Sequence, residues 1–264
     1  PEYTVFTEAA GGVPVAVPFD SATLAPDFAA LERAITPRTK GIIVNSPNNP
    51  SGTVYSLDTL ERICSLLTAK SKEFGTHIVL IADEPYRDLV YGDVEVPYLM
   101  NLYPDTVVCM SYSKSLSLPG ERIGYIAVSP EMHEGAGVYA AICGAGRALG
   151  YVCAPSLFQR VVAKCVEAKP DLAAYERNRN LIYDSLTEMG YDCVRPDGAF
   201  YLFVKALEPD ANAFADRAKE LGLLIVPGDS FGAKGYVRIS YCVGYDMIKR
   251  SLPAFRELID SYKK

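Results

Sequence analysis

Two short apolar runs, Gly41-Ile-Ile-Val44 and Ile78-Val-Leu-Ile-Ala82, bracket an amphipathic stretch over about 56–74, and that arrangement leaves few folds open. Within the stretch Leu57, Leu60, Ile63, Cys64 and Leu67 recur at helical spacing, Ser56 stands where an N-cap oxygen is needed, and Gly75 follows the last turn. Strand, helix and strand in that order form a crossover unit. Strands that are apolar at successive positions belong to a parallel sheet covered by helices. Thr106-Val-Val-Cys-Met110 reads as a third strand, and 123–128 as a fourth whose direction the pattern leaves open. The first half is expected to be an α/β sheet.

From Gly135 onward the period becomes helical, over 135–150, 154–168 and 171–189. Short strand-like runs at 191–194, 199–204, 223–226 and 236–241 then alternate with helices at 212–221 and up to about 262. Interleaving of this kind predicts a smaller α+β domain. The boundary is placed near residue 170, so that 1–170 belongs to a large domain and 171–264 is a small C-terminal domain. The chain opens without Met, and Gly12-Val-Pro-Val-Ala-Val-Pro18 has a strand pattern with no helix before it. It is therefore expected to begin in mid-domain.

Of the 264 residues 49% are apolar and 22% charged, the balance of a globular chain with a large core. A net charge of -6 argues against a nucleic-acid or anionic-membrane partner, because those are held by clustered Lys and Arg. No run approaches the roughly 18 to 20 apolar residues needed to span a bilayer. The seven cysteines include no C-x-x-C pair and mostly fall in apolar segments. They read as small buried hydrophobes in a reducing compartment, and a cytoplasmic protein is expected.

Three of the strands end in chemistry. The first delivers Asn45-Ser-Pro-Asn-Asn-Pro-Ser-Gly52, the second Asp83-Glu-Pro-Tyr86, and the third Ser111-Tyr-Ser-Lys114, with Arg122 eight residues beyond the lysine. In open α/β sheets ligands bind beyond the carboxyl ends of the strands. Desolvation there can make Lys114 an amine nucleophile and Schiff-base former. Ser111, Ser113 and Arg122 together suit a phosphate. Asp83, at the tip of an apolar strand, calls for a buried cation or protonated heterocycle, and Tyr86 can offer its phenol to a ring hydroxyl. Each residue alone has a plainer reading: a surface lysine, a solvated serine turn, an N-cap aspartate, a core tyrosine, and turn chemistry for Asn49.

Taken in order, these motifs resemble the class I/II aminotransferases, pyridoxal-phosphate enzymes of the type I fold. Asn49-Pro-Ser-Gly52 matches the family's Asn-Pro-Thr/Ser-Gly, and Asp83-Glu-Pro-Tyr86 its Asp-x-x-Tyr. Ser111-x-Ser-Lys114 with Pro119-Gly-x-Arg122-x-Gly124 matches its lysine motif. Pro227-Gly-Asp-Ser-Phe-Gly232 followed by Arg238-Ile-Ser resembles the segment whose arginine binds the substrate α-carboxylate. The resemblance runs from Pro1-x-Tyr3 to the final helix and implies a three-layer α/β/α large domain with a mostly parallel sheet, plus the small α+β domain. It implies pyridoxal 5'-phosphate held as an aldimine on Lys114, which also shuttles the proton. Asp83 would pair with the pyridine nitrogen, Asn49 and Tyr86 would bind the ring oxygen, and Ser111, Ser113 and Arg122 the phosphate. Asn49 and Arg238 would meet the substrate. No metal is implied.

The implied reaction is amino transfer from an amino acid to a 2-oxo acid. A β-elimination lyase of the cysteine-sulfur type shares its early chemistry, and some transcriptional regulators carry an aminotransferase-like sensor domain. Family members are longer at the N-terminus and usually form homodimers. The segment expected to precede this chain would hold the first part of the large domain, a Gly/Ser/Thr phosphate loop and the aromatic residue that stacks on the cofactor.

Overall fold

The computed structural model describes residues 2–21 and 23–263. Pro1, which opens the Pro1-x-Tyr3 pattern, lies outside the described residues. In chain order the elements are α1 (Glu2–Ala9), α2 (Phe28–Ala34), β1 (Gly41–Asn45), α3 (Leu57–Phe74), β2 (Val79–Asp83), β3 (Thr106–Ser111), α4 (Tyr112–Ser115) and β4 (Gly124–Val128). They continue as α5 (Gly135–Ala148), α6 (Ser156–Cys165), α7 (Leu172–Met189), β5 (Cys193–Val194), β6 (Tyr201–Lys205), α8 (Ala211–Glu220), β7 (Val226–Pro227), β8 (Tyr236–Ser240) and α9 (Tyr245–Ser261). The chain divides into two compact units. Unit 1 comprises Pro1–Ala34, Asn48–Thr53 and Ala173–Lys264, and unit 2 comprises Ile35–Pro47 and Val54–Leu172.

Unit 2 is the α/β part. Its sheet has the order β1-β2-β3-β4, with β1, β2 and β3 parallel and β4 antiparallel to β3. The crossover helix α3 forms as its sequence dictates. Ser56 accepts a hydrogen bond from the Thr59 N–H at the N-cap, and Gly75 takes the left-handed conformation at the C-cap. Leu60, Ile63, Cys64 and Leu67 are buried along one face, whereas Leu57, expected on that face, is 49% exposed because it sits in the first turn. Along β2 the fully buried Leu80 and Ala82 alternate with half-buried neighbours, so the apolar run does not have two equally covered faces.

Unit 1 is antiparallel, with sheet order β5-β6-β8-β7. Leu202, Phe203, Phe214, Val237 and Tyr241 fill its core. Side chains tie the helices to the core: Tyr191 Oη donates to the Phe255 carbonyl at 2.7 Å, and Asn178 Nδ2 donates to the carbonyls of Tyr241 and Val243 at 3.1 and 2.8 Å.

Two expectations need correction. Residues 12–18 are not a strand, and α1 does precede them. Pro14 and Pro18 have no N–H for a ladder, and the Gly12 N–H instead closes α1 on the Thr7 carbonyl at 2.8 Å. The cysteines are not mostly buried: Cys64 is, but Cys143, Cys153, Cys165 and Cys242 are exposed. The first three lie on or beside α5 and α6, whose apolar side chains are largely open; α5 buries none of its residues.

Candidate active site

Parallel pairing in unit 2 aligns the strand ends. Asn45 is level with Asp83, and Asp83 with Cys109, so the segments that follow β1, β2 and β3 leave the sheet at one edge. Asn45 Nδ2 donates to the Asp83 carbonyl at 2.8 Å, and Asp83 is half-buried. The next residue, Glu84, is only 2% exposed. Burial pushes its carboxyl above the ordinary 4.5, while the Arg87 guanidinium, donating from Nη1 at 2.8 Å, opposes that rise. Arg87 Nη2 also donates to the Val96 carbonyl at 2.7 Å, and the guanidinium lies 5.1 Å from the centre of the Tyr98 ring. The turn that contains the buried Tyr86 is thereby tied to residues 96–98.

β3 ends at Ser111, whose Oγ caps the short helix α4. It accepts from the Ser113 N–H at 3.2 Å and donates to Ser113 Oγ at 2.8 Å. Lys114, read from the sequence as the end of a strand, is the third residue of this helical turn and is half-buried. Arg122 takes a left-handed φ of 52°, which costs a non-glycine residue about 1 kcal/mol or more, and its Nη1 donates to the Pro119 carbonyl at 2.9 Å. Gly124 then pairs with Ser111, and a Cβ there would come within 2.2 Å of the Met110 carbonyl oxygen, so only glycine lets the two strands close.

The result is a cleft of about 220 Å³ lined by Ser111, Ser113, Arg122, Ile123, Gly124 and Tyr151. Its polar side chains are three hydroxyls and a guanidinium, and no carboxylate is among the described lining residues. That donor set fits an anion with several acceptor oxygens, the phosphate of pyridoxal phosphate included. The nearby Cys109 thiol is pushed up to about 11 by burial, which leaves it protonated at neutral pH.

Unit 1 carries the other candidates. In the loop after Asn48, Gly52 has φ 73°, and a Cβ on it would lie 2.5 Å from the Pro196 Cβ and 2.9 Å from the Tyr201 carbonyl oxygen. Its own carbonyl accepts the N–H groups of Asp197 and Gly198 at 3.0 and 2.9 Å. The loop is therefore seated on the turn before β6, and Asn49 is held half-buried within it. Arg238, on β8, donates from Nη1 to Asn49 Oδ1 at 2.8 Å. Its guanidinium carbon lies 4.5 Å from the Tyr201 ring centre and 4.9 Å from that of Phe231. Its Nε–H is buried with no acceptor, a costly state for a charged donor.

The structure thus gathers Ser111, Ser113 and Arg122 around one cleft, places Lys114 in the same helical turn as Ser113, and pairs Asn49 with Arg238. Asp83 and Tyr86 do not line that cleft. The sequence reading missed Tyr151, Tyr201, Phe231 and the Glu84–Arg87 pair. Glu84 and Arg87 flank Tyr86 and offered a local signal, since three residues apart in a turn they can pair. The aromatic residues gave none that eighteen tyrosines and ten phenylalanines would not also give.

Residues 1–253 match the family model for aminotransferase class I and II, and the chain belongs to that family. It is 30% identical to the aromatic-amino-acid aminotransferase 2 of Thermococcus litoralis and 31% identical to the aspartate aminotransferase of Geobacillus stearothermophilus. Each match covers 96% of this chain and 66% of the relative. An aminotransferase structure from Eubacterium rectale is 57% identical with a TM-score of 0.97, over 100% of this chain and 66% of that one. A single mutant of the aspartate aminotransferase of Thermus thermophilus is 31% identical with a TM-score of 0.84, over 97% and 66%. The chain therefore has the type I fold of the pyridoxal-phosphate transferases and spans about 66% of the length of the curated relatives it matches. No described helix is long and apolar enough to cross a membrane.

Proposed function

We propose that the protein is a pyridoxal-phosphate-dependent aminotransferase that moves an amino group from an amino acid to a 2-oxo acid. The observation that carries this reading is the cleft formed by Ser111, Ser113, Arg122 and Tyr151, which has hydroxyls and a guanidinium but no carboxylate among its described lining residues, beside the helical turn of Lys114. When bound, pyridoxal phosphate supplies an electron sink for the bonding pair released as an α-proton leaves. The chain's own residues do the rest. Ser111, Ser113 and Arg122 would hold the phosphate oxygens, and the Asp83 carboxylate would hold the proton of the ring nitrogen. Tyr86 and Asn49 would hydrogen-bond the ring oxygen. The Lys114 amine would anchor the cofactor and, once free, would take the substrate's α-proton as general base and give it back as general acid. Arg238, oriented by Asn49, binds the substrate α-carboxylate. In this reading 1–170 belongs to the large domain and 171–264 is the small one, and the complete protein is a cytoplasmic homodimer.

The test is to add pyridoxal phosphate, record the visible spectrum before and after borohydride, and map the modified peptide by mass. A reducible band with the adduct on Lys114 is expected, and an adduct on another lysine would refute the assignment. Glutamate formed from 2-oxoglutarate marks a transferase, whereas pyruvate and ammonia released from cystathionine mark the β-elimination lyase.

A further inference from the structure

Arg238, which is half-buried, is seated differently from Arg179, the buried arginine of its unit. Each guanidinium nitrogen of Arg179 has an acceptor: Nε and Nη2 donate to Asn180 Oδ1, Nη2 also to Glu176 Oε1, and Nη1 to the Pro196 carbonyl. That is how a structural arginine is held. Arg238 makes a hydrogen bond from Nη1 to Asn49 and leaves Nε buried without an acceptor, while its guanidinium rests over two aromatic rings. The rings come from different elements. Phe203 faces Arg238 across the β6–β8 ladder and Tyr201 faces Ser240, so Tyr201 is the diagonal neighbour of Arg238 on one face of the sheet. Phe231 ends the short 3-10 turn Gly228–Phe231 between β7 and β8.

Ring faces attract a guanidinium without using its hydrogen bonds. They can restrain where its plane lies while sparing its in-plane donors, which are what a planar carboxylate engages. We propose that Tyr201 and Phe231 are positioning residues that fix the Arg238 guanidinium and so set the affinity of the protein for an α-carboxylate. This rests on the reading of Arg238 as the α-carboxylate ligand.

The test uses the 15N-labelled chain, with the Arg238 Nε–H resonance identified by its loss in Arg238→Lys and 2-oxoglutarate as the probe. In the wild type that resonance should shift saturably. Tyr201→Phe, which keeps the ring, should bind within about twofold of wild type, whereas Tyr201→Leu and Phe231→Leu should each weaken binding about tenfold. The Nε–H should also exchange faster with solvent in both leucine variants, with circular dichroism unchanged. A purely structural role would leave the affinity of any folded variant unaltered. Tyr201 is 7% exposed, so if Tyr201→Leu does not fold, the half-buried Phe231 carries the test. Wild-type affinity in the folded leucine variants overturns the positioning role and leaves the Arg238 reading intact. A wild-type resonance that ignores 2-oxoglutarate removes the Arg238 reading, and the proposal falls with it.

Discussion

In unit 2 the candidate side chains stand where the parallel strands β2 and β3 run out, and their neighbours are near in sequence: Ser111, Ser113 and Lys114 within four residues, Arg122 one loop further. In unit 1 the Arg238 seat is assembled from residues far apart, with Asn49, Tyr201 and Phe231 converging through an antiparallel ladder and two turns. Parallel strands set chemistry at one edge by their direction alone, whereas antiparallel strands set it by register. The first kind of site depends on loops beyond a partly open sheet, and the second on the packing of a closed core. Phe203, opposite Arg238, is 1% exposed, while Ile126 of β4 is 49% exposed.

The largest effect should come from attacking that contrast directly. Phe203→Ala should lower unfolding stability by about 3 to 5 kcal/mol, whereas Ile126→Ala should cost less than about 1 kcal/mol. Urea unfolding of both variants reads the difference, and equal losses would mean that the two sheets are equally packed. Next in size is Arg87→Ala, which strands the Glu84 carboxylate in its buried site and should cost about 3 kcal/mol by the same measurement. A loss below about 1 kcal/mol would show that Glu84 is solvated or protonated without its partner.

The same contrast explains what could be read from the sequence. Each strand of unit 2 from β1 to β4 announced itself through an apolar run, and the motif residues followed the runs directly, so Lys114, Asp83 and Arg122 were legible as candidates, although the helical turn α4 was not. In unit 1 the strands were also legible, although β5 and β7 are shorter than their apolar runs. Which side chains meet was not, because the pairing of Tyr201 with Ser240 and Phe203 with Arg238 is fixed only when the sheet forms. Tyr151 escaped for another reason: a lone aromatic residue in a loop after a glycine carries no period and no motif. The direction of β4 was open because a short apolar strand reads alike either way.

A smaller effect separates the two seats by ligand. Arg122→Gln should weaken binding of inorganic phosphate about tenfold, since it removes the cleft's guanidinium, while Arg238→Gln should leave phosphate binding unchanged. Calorimetric titration of both variants checks this. Equal weakening would mean that phosphate is not held by the Ser111–Arg122 cleft alone.

The smallest effect concerns pH, and its sign should differ between the units. In unit 2 burial keeps the Glu84 carboxyl above its ordinary 4.5 despite Arg87. The folded chain then retains a proton that the unfolded chain has released. Stability from this group is complete below 4.5 and is lost as pH rises through the folded value. In unit 1 Asp210 caps α8, where the N–H groups of Asn212 and Ala213 hold its carboxyl below the ordinary 3.8. Its contribution is present above 3.8 and is lost as pH falls through the folded value. Glu84→Gln and Asp210→Asn remove each titration while keeping a similar shape. Relative to its variant, the wild type should lose stability as pH rises above 4.5 in the first pair and gain it as pH rises toward 3.8 in the second. Urea midpoints measured across both intervals would show the opposite slopes, and stability that rises with pH in both pairs would mean that Glu84 is not desolvated by the fold as its enclosure requires.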